Sequence, residues 1–128
     1  MTKQDALKNW KESAADAMDT AEKLFADKKY HHSLFFLHLA IEKLLKALHQ
    51  KRRNEPAPPI HNLARLADLC KLGLDEQTER ELKEISSFSV SARYDDYKFS
   101  FYKKATRNYA SRWLVIGKSL HQKFLSLI

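Results

Sequence analysis

Residues 30–47 read YHHSLFFLHLAIEKLLKA, and this stretch decides the fold of the chain. At about 3.6 residues per turn, it forms a helix with one continuous apolar stripe. The stripe, extended by Leu48, comprises Tyr30, Leu34, Leu37, Ile41, Leu44 and Leu45. The opposite side is mixed and carries Phe35, Phe36, Leu39, His32, Glu42, Lys43 and Lys46. Because a surface helix buries only one stripe, the mixed side predicts a second contact, with a partner subunit or a ligand.

The rest of the sequence predicts further helices. Apolar residues at helical spacing predict one helix over residues 3–26, and the opening stretch belongs to a second helix over residues 30–53. The break between them is short, so we expect the two helices to be antiparallel neighbours. Further helices are expected over residues 62–72, from an N-cap at Asp75 to about residue 88, and over residues 102–127. The predicted fold class is all-α, an up-and-down bundle of four main helices plus a shorter helix.

Two segments interrupt the helical pattern. All three prolines lie within residues 56–59, and proline cannot continue a helix, so residues 54–59 form the extended loop. The serine-rich residues 86–91 and the sequence RYDD at residues 93–96 indicate a bend or loop. With 128 residues and no internal repeat, we expect a single domain over residues 1–128.

Charge is distributed unevenly along the chain. The formal net charge is +7, and residues 91–128 hold eight basic and two acidic side chains. On the last helix, Lys103, Lys104, Arg107 and Lys118 group into a basic face. This asymmetry favours an anionic partner: a nucleotide, RNA or an acidic protein surface. The alternative is a set of solvated lysines with no partner.

Cysteine content and hydropathy indicate the cellular setting. The single Cys70 excludes an intrachain disulfide and a cysteine-rich metal site, and a buried apolar role is expected for it. The N-terminal residues show no apolar signal core, and no apolar run approaches the ~20 residues of a membrane span. We therefore expect a soluble, cytoplasmic protein without membrane contact.

Two groups of residues are candidates for anion binding. Glu42 and Lys46 have the i,i+4 spacing of an ordinary helical ion pair, worth ~0.3–0.5 kcal/mol. In the alternative, Lys43 and Lys46 contact phosphate, Glu42 orients one of them, and an aromatic ring flanks a base. Arg93 and Tyr94 form the second group, since arginine pairs with phosphate and tyrosine stacks on bases. Otherwise Arg93 bonds helix-end carbonyls or Asp95 and holds the bend.

The remaining side chains indicate an interface more than a reaction centre. Phe35, Phe36 and Leu39 would form an isologous dimer patch around a two-fold axis. Histidines on the second helix lack the spacing of a metal site, so no metal and no cofactor is expected. His32 is a possible supporting residue, and His61 is expected to cap the third helix or to fasten the proline loop. No catalytic residue is assigned.

Four features in order resemble the HEPN domain family, named for nucleotide binding in higher eukaryotes and prokaryotes. They are Trp10 with Asp16, Tyr30 followed by HLAIEKLLKA at residues 38–47, the proline loop leading to His61-x-Leu63-x-x-Leu66, and Arg93-Tyr94 before the final helix. The resemblance implies a helical bundle that is commonly a homodimer. It also implies frequent pairing with a small nucleotidyltransferase encoded nearby, often as a toxin–antitoxin pair.

Many members of that family are metal-independent endoribonucleases with an arginine, four to six residues and then a histidine. No arginine here has that spacing, and the nearest, Arg53 and His61, have seven residues between them. The chain is similar to the branch that lacks the motif and ends in Arg-Tyr, although Asp95 replaces the usual proline. The expected function is a non-catalytic nucleotide-binding or nucleotidyltransferase-partner module. One alternative is an endoribonuclease toxin whose active site departs from the family motif and pairs Arg93 with His61 or His32. The other is a purely structural dimerisation bundle.

Overall fold

The computed structural model describes residues 2–94 and 96–128, and within them the chain forms six α-helices. They are α1 (Lys3–Ala26), α2 (Tyr30–Arg53), α3 (Leu63–Leu69), α4 (Glu76–Arg93), α5 (Ser100–Lys104) and α6 (Arg107–Ser126). The all-α bundle predicted from the sequence is confirmed. Asp95, which sequence reasoning placed in the bend after α4, lies outside the described residues. Among the described helices, none combines the length and apolar character that crossing a bilayer requires.

Helices α1 and α2 form the antiparallel pair that the sequence predicts, with the predicted bounds. Thr2 and Asp5 make a capping box: the Thr2 hydroxyl accepts from the Asp5 N–H (3.1 Å), and the Asp5 carboxylate accepts from the Thr2 N–H (3.2 Å). Buried Ala14, Ala17 and Ala21 give α1 a flat face. The Ser33 hydroxyl of α2 donates to the Ala21 carbonyl at 2.6 Å. Small residues on the facing side therefore let the two backbones approach closely.

Helix α2 is the centre of the bundle, because it contacts all the other helices. Its apolar stripe has no exposed surface at Leu34, Leu37, Ile41, Leu44, Leu45 and Leu48. At ~0.8 kcal/mol per buried CH₂, this stripe supplies a large share of the hydrophobic free energy of folding. Helix α2, which contains residues 30–47, is thus the element on which the other helices pack.

The predicted end of α4 is wrong. The helix continues through the serine-rich stretch to Arg93 instead of ending near residue 88. The Ser87 hydroxyl donates to the Glu84 carbonyl (2.5 Å), and the Ser86 hydroxyl accepts from the backbone N–H of the first residue of α3 (2.8 Å). Serine disfavours a helix by competing for backbone groups. Here the hydroxyls find partners that leave the helical backbone bonds intact.

The predicted last helix is also wrong, because it is divided into α5 and α6. Thr106 has extended backbone angles (φ −74°, ψ 168°), and its hydroxyl accepts from the Tyr109 N–H at 3.2 Å. Threonine is a preferred N-cap, so Thr106 begins a new helix. Tyr102, the first residue of the predicted helix, lies in α5 and is exposed.

Helix α3 is shorter than predicted. Asn62 is its N-cap and not its first residue, since the side-chain oxygen accepts from the Arg65 N–H at 3.1 Å. The helix buries Leu63 and Leu66 as expected. Cys70 is buried as predicted, with its thiol 3.5 Å from the Leu45 carbonyl, and burial raises the pKa of that thiol.

We predict that Gly117→Ala destabilises the bundle where α6 crosses α2. A Cβ atom at Gly117 would lie 2.2 Å from Cδ1 and 2.9 Å from Cγ of Leu37, a side chain with no exposed surface. Overpacking should lower the free energy of unfolding by about 1–3 kcal/mol in urea denaturation. Alanine's helix propensity, better than glycine's by about 1 kcal/mol, offsets only part of this.

The control for Gly117→Ala is the same change made in a Leu37→Ala background, where the added methyl group has room. There it should be neutral or stabilising, as should Ser119→Ala on the exposed side of α6. An equal cost of Gly117→Ala in both backgrounds would show that contact with Leu37 is not the cause.

Candidate functional site

A buried carboxylate lies at the middle of α2. Glu42 is only 5% exposed, and three basic side chains surround it. Its Oε2 is 3.1 Å from Lys46 Nζ, its Oε1 is 2.9 Å from His61 Nδ1, and His38 Nε2 is 3.8 Å from the same Oε1. His38, Glu42 and Lys46 are spaced i,i+4 and therefore lie in a row along α2. We call these three residues and His61 the Glu42 cluster.

The Glu42 cluster fastens the proline loop to α2. His61 comes from the end of that loop, and its Nδ1–H donates to the Glu42 carboxylate. The ring of His38 is buried, and its Nε2–H donates to the His61 backbone carbonyl at 3.0 Å. Two side chains of α2 thus hold the side chain and the backbone of one loop residue. The N-cap of α3 is the next residue, Asn62, so His61 fastens the loop and does not cap the helix.

Burial and hydrogen bonding act in opposite directions on the titration of this cluster. Burial alone would raise the pKa of Glu42, but hydrogen bonds from His61 and Lys46 outweigh it and hold the pKa below its ordinary value. For His38, burial is the largest effect and lowers the pKa below its ordinary value. Glu42 is therefore ionised and His38 neutral near neutral pH.

His61 is held through one ring nitrogen, Nδ1, while its side chain stays partly exposed. A carboxylate only accepts hydrogen bonds, so the bond to Glu42 places the proton on Nδ1 and leaves Nε2 with its lone pair. The imidazole side chain is 54% exposed. A half-exposed imidazole oriented by a buried carboxylate can accept a proton, or, when protonated, donate to a phosphate oxygen.

The two candidate lysines of α2 differ in environment. Lys46 is buried and paired with Glu42, whereas Lys43 is half-buried. Both ammonium groups lie over the indole of Trp10 from α1, with Lys43 Nζ 5.8 Å and Lys46 Nζ 6.0 Å from the ring centroid. Lys43 is thus the more accessible of the two to an anion, and Lys46 acts chiefly as the partner of the buried carboxylate.

The second candidate group lies beside the first half of α2. Arg93 is the last residue of α4 and is exposed, with its guanidinium carbon 5.4 Å from the centroid of the Phe35 ring. Phe35 and His38 are three residues apart on α2 and are therefore neighbours on that helix, and His38 binds the His61 carbonyl. Tyr94 follows at the helix end and is largely exposed. The structure therefore brings the Arg93 group and the Glu42 cluster to one region.

The other predicted site residues are more dispersed. His32 is exposed and stacks on His31, with ring centroids 3.9 Å apart. On the basic face, Lys104 pairs with Glu84 at 3.1 Å and Lys118 pairs with Glu22 at 2.6 Å, while Lys103 and Arg107 are exposed. Phe35, Phe36 and Leu39 are half-buried. Their role as a dimer patch stays a prediction.

Sequence reasoning missed two participants. His38 and Trp10 were not among the predicted site residues, yet both contact the candidate site. The i,i+4 spacing of His38, Glu42 and Lys46 was the available signal, because it places all three in one row. Within residues 2–94 and 96–128, no three histidine, cysteine, aspartate or glutamate side chains group as metal ligands.

The family model of the HEPN domain matches residues 7–125, so the chain belongs to the HEPN domain family. The resemblance seen in the sequence is therefore confirmed over nearly the whole chain. Membership of this family indicates a nucleotide-binding or ribonuclease-like function. No curated protein and no solved structure shows significant similarity to the chain.

We predict that Glu42→Gln lowers the free energy of unfolding by about 3–5 kcal/mol, because it leaves the buried Lys46 ammonium without a counter-charge. Chemical denaturation measures the change. The matched control is Glu12→Gln, which removes the exposed i,i+4 pair of Glu12 with Lys8 (3.8 Å) and should have little effect. Equal losses of unfolding free energy in the two variants would show that burial does not make the Glu42–Lys46 pair more important to stability than an exposed pair.

We also predict that His38 makes folding sensitive to mild acid. Its pKa is lowered in the folded protein, so the unfolded chain binds the proton more readily and stability rises with pH in that window. The contribution is complete above about pH 6.5 and declines as the pH falls toward the folded pKa. The charged or titratable neighbours of His38 are Glu42, His61 and Arg93.

The variant that tests this pH dependence is His38→Gln, which keeps a donor for the His61 carbonyl but does not titrate. The free energy of unfolding is measured by chemical denaturation at neutral pH and at a pH below the ordinary pKa of histidine. It should fall more between these two conditions in the parent than in the variant. Parallel pH profiles would contradict the role of His38.

Proposed function

We propose that this HEPN domain is a non-catalytic nucleotide-binding module whose phosphate contacts are Arg93 and, when its ring is protonated, Nε2–H of His61. The observation that carries the proposal is the exposed Arg93 guanidinium on Phe35, which is one helical turn from His38, the buried histidine that holds the His61 backbone. Arginine pairs with phosphate through two parallel hydrogen bonds, and a ring beneath the guanidinium restricts its orientation. Tyr94 is exposed beside Arg93 and offers a stacking face.

The lysines of α2 have different roles in this proposal. Lys43 is a second cation, reachable from solvent and restrained by Trp10. Lys46 supports the site from inside by neutralising Glu42, which in turn orients His61. The excess of basic residues after position 90 adds a positive field that draws polyanions toward this region.

We further propose a protein partner, a small nucleotidyltransferase of a two-gene, toxin–antitoxin-like system, as the family resemblance implies. Exposed Lys103 and Arg107 on the basic face would meet an acidic surface of that partner. A homodimer through Phe35, Phe36 and Leu39 completes the proposed assembly.

A specific observation favours a metal-independent endoribonuclease as the second candidate. The Glu42 carboxylate holds the partly exposed ring of His61, as a carboxylate orients the imidazole of a general base. In that reaction Nε2 of His61 would take the proton from a ribose 2′-hydroxyl, and the 2′-oxygen would attack the adjacent phosphorus. The bond from phosphorus to the 5′-oxygen would break, leaving a 2′,3′-cyclic phosphate, and the 5′-oxygen would take a proton from water. Arg93 would stabilise the negative charge that develops on the phosphoryl oxygens.

We predict saturable, salt-sensitive binding of ATP or a short RNA to the purified protein in a calorimetric titration. Loss of a charged hydrogen bond is worth ~1.5–3 kcal/mol, so Arg93→Ala should weaken binding at least about tenfold. Lys43→Ala should add a smaller loss. Arg80→Ala is the matched control, an exposed arginine of the same helix with its own partner, Glu76, and it should bind as the parent does.

The same titration separates the competing functions. Binding that is unchanged in the Arg93→Ala, Lys43→Ala double variant would show that the site is misplaced. Cleavage of RNA in the presence of a chelator, abolished by His61→Ala, would replace the binding module by the endoribonuclease. Indifference to nucleotides, RNA and acidic partners at any salt concentration would leave only the structural dimerisation bundle.

A further inference from the structure

A cavity of about 440 Å³ lies at the end of α2, away from the Glu42 cluster. Arg52 is ten residues beyond Glu42 on the same helix, a distance of about 15 Å along its axis. The cavity is lined by Arg52, Arg53, Glu55, Leu69, Cys70 and Lys71. Three of these residues are cations, one is an anion and none carries an aromatic ring. The cavity therefore offers positive charge without a stacking surface.

Backbone carbonyls at the end of α3 hold the two guanidinium groups of this cavity. Arg52 Nη1–H donates to the Cys70 carbonyl at 3.2 Å, and Arg53 Nη1–H donates to the Leu69 carbonyl at 3.2 Å. Cations near a helix C-terminus commonly satisfy such carbonyls, which is a structural role. A guanidinium has five N–H donors, so these bonds orient both groups and leave further donors for another partner.

A carboxylate of the chain itself already lies beside one of the arginines. Glu55, in the proline loop, accepts from Arg53 Nε at 3.2 Å, and its side chain is 55% exposed. Its Oε1 is also 3.7 Å from Nε2 of the buried His49, so Glu55 keeps a polar neighbour when it leaves Arg53. Across the described residues, neither Arg52 nor Lys71 pairs with a carboxylate. One exposed carboxylate thus faces three cations, and its position shows where an oxyanion fits.

Lys71 has a backbone conformation that usually belongs to glycine. Its φ is 55°, its N–H donates to the Asp68 carbonyl (2.9 Å), and the Leu72 N–H donates to the Ala67 carbonyl (3.3 Å). These bonds form a Schellman motif, in which glycine avoids the steric cost of the left-handed conformation. A lysine at this position brings an ammonium group to the cavity and lowers stability, which favours a role for its charge.

We propose that Arg52, Arg53 and Lys71 bind a small inorganic oxyanion of the pyrophosphate class. The anion takes the place of Glu55 beside Arg53. Guanidinium groups pair with phosphate oxygens through two parallel hydrogen bonds, and lysine adds a point charge. Three cations around one cavity favour an anion with more than one negative charge. Because no lining residue carries a ring, a nucleotide base would have nothing to stack on, which favours a free oxyanion over a nucleotide.

The test is a calorimetric titration of the purified protein with pyrophosphate. Lys71→Gly removes the ammonium group and gives the left-handed position its preferred residue. It should raise the Kd about threefold without lowering the free energy of unfolding. Arg52→Ala should raise the Kd at least about tenfold. Glu55→Gln removes the competing carboxylate and should lower the Kd about threefold, a gain that a loss of folding cannot produce.

The matched control is Glu22→Gln, which removes a carboxylate at the opposite end of the α1–α2 pair. Glu22 pairs there with Lys118 at 2.6 Å, and the variant should bind pyrophosphate as the parent does. A parent protein that does not bind pyrophosphate would overturn the inference, as would unchanged affinity in either Lys71→Gly or Glu55→Gln.

The Arg93→Ala variant separates this inference from the proposed function. Loss of pyrophosphate binding in that variant would assign the anion to the proposed nucleotide site and overturn the second site alone. Pyrophosphate binding that persists while ATP binding weakens would support both sites. If Arg93→Ala leaves the binding of both ligands unchanged, the proposed function fails and the oxyanion site at the end of α2 stands.

Discussion

A single buried carboxylate, Glu42, constrains the arrangement of the candidate site. Moving a carboxylate from water into the protein interior costs on the order of several kcal/mol, unless charged and hydrogen-bonding partners offset that cost. Lys46 from the next turn and His61 from the proline loop supply that compensation, and Lys46 in turn lies over Trp10 of α1. The carboxylate therefore connects α1, α2 and the loop before α3. Removing one partner would leave an uncompensated charge in the core, which makes these positions depend on one another.

The contacts of buried Glu42 also fix side chains that reach the surface. Because Glu42 fixes the ring of His61 and His38 fixes its backbone, an imidazole stands half-exposed in a defined orientation. The end of α4 places Arg93 on Phe35, one helical turn from His38 on α2. A held imidazole and a restrained guanidinium are the groups on which the proposed phosphate contacts depend.

Periodicity predicts the parts of the fold that depend on local patterns. The apolar stripes and the short break at residues 27–29 gave the bounds of α1 and α2 as the structure has them. The end of α4 and the start of α6 were predicted wrongly because of the serine run and Thr106. Serine and threonine can lie within a helix or interrupt it, and which occurs depends on the hydrogen-bond partner of the hydroxyl group. At the site, spacing predicted the Glu42–Lys46 pair but not its burial. That burial depends on Trp10 of α1 and on His61, which is 19 residues from Glu42 in the sequence. Helical periodicity cannot predict contacts between residues of different elements.

The most direct test of the role of Glu42 is a long-range ¹H–¹⁵N spectrum of the histidine rings at about pH 8, where free imidazole is neutral. We expect that His61 carries its proton on Nδ1, held by the Glu42 carboxylate, and that His38 carries its proton on Nε2. In Glu42→Gln, the preference of His61 for the Nδ1 form should weaken. A His61 ring protonated on Nε2 in the parent protein would contradict the account, because Glu42 would then not orient the exposed imidazole.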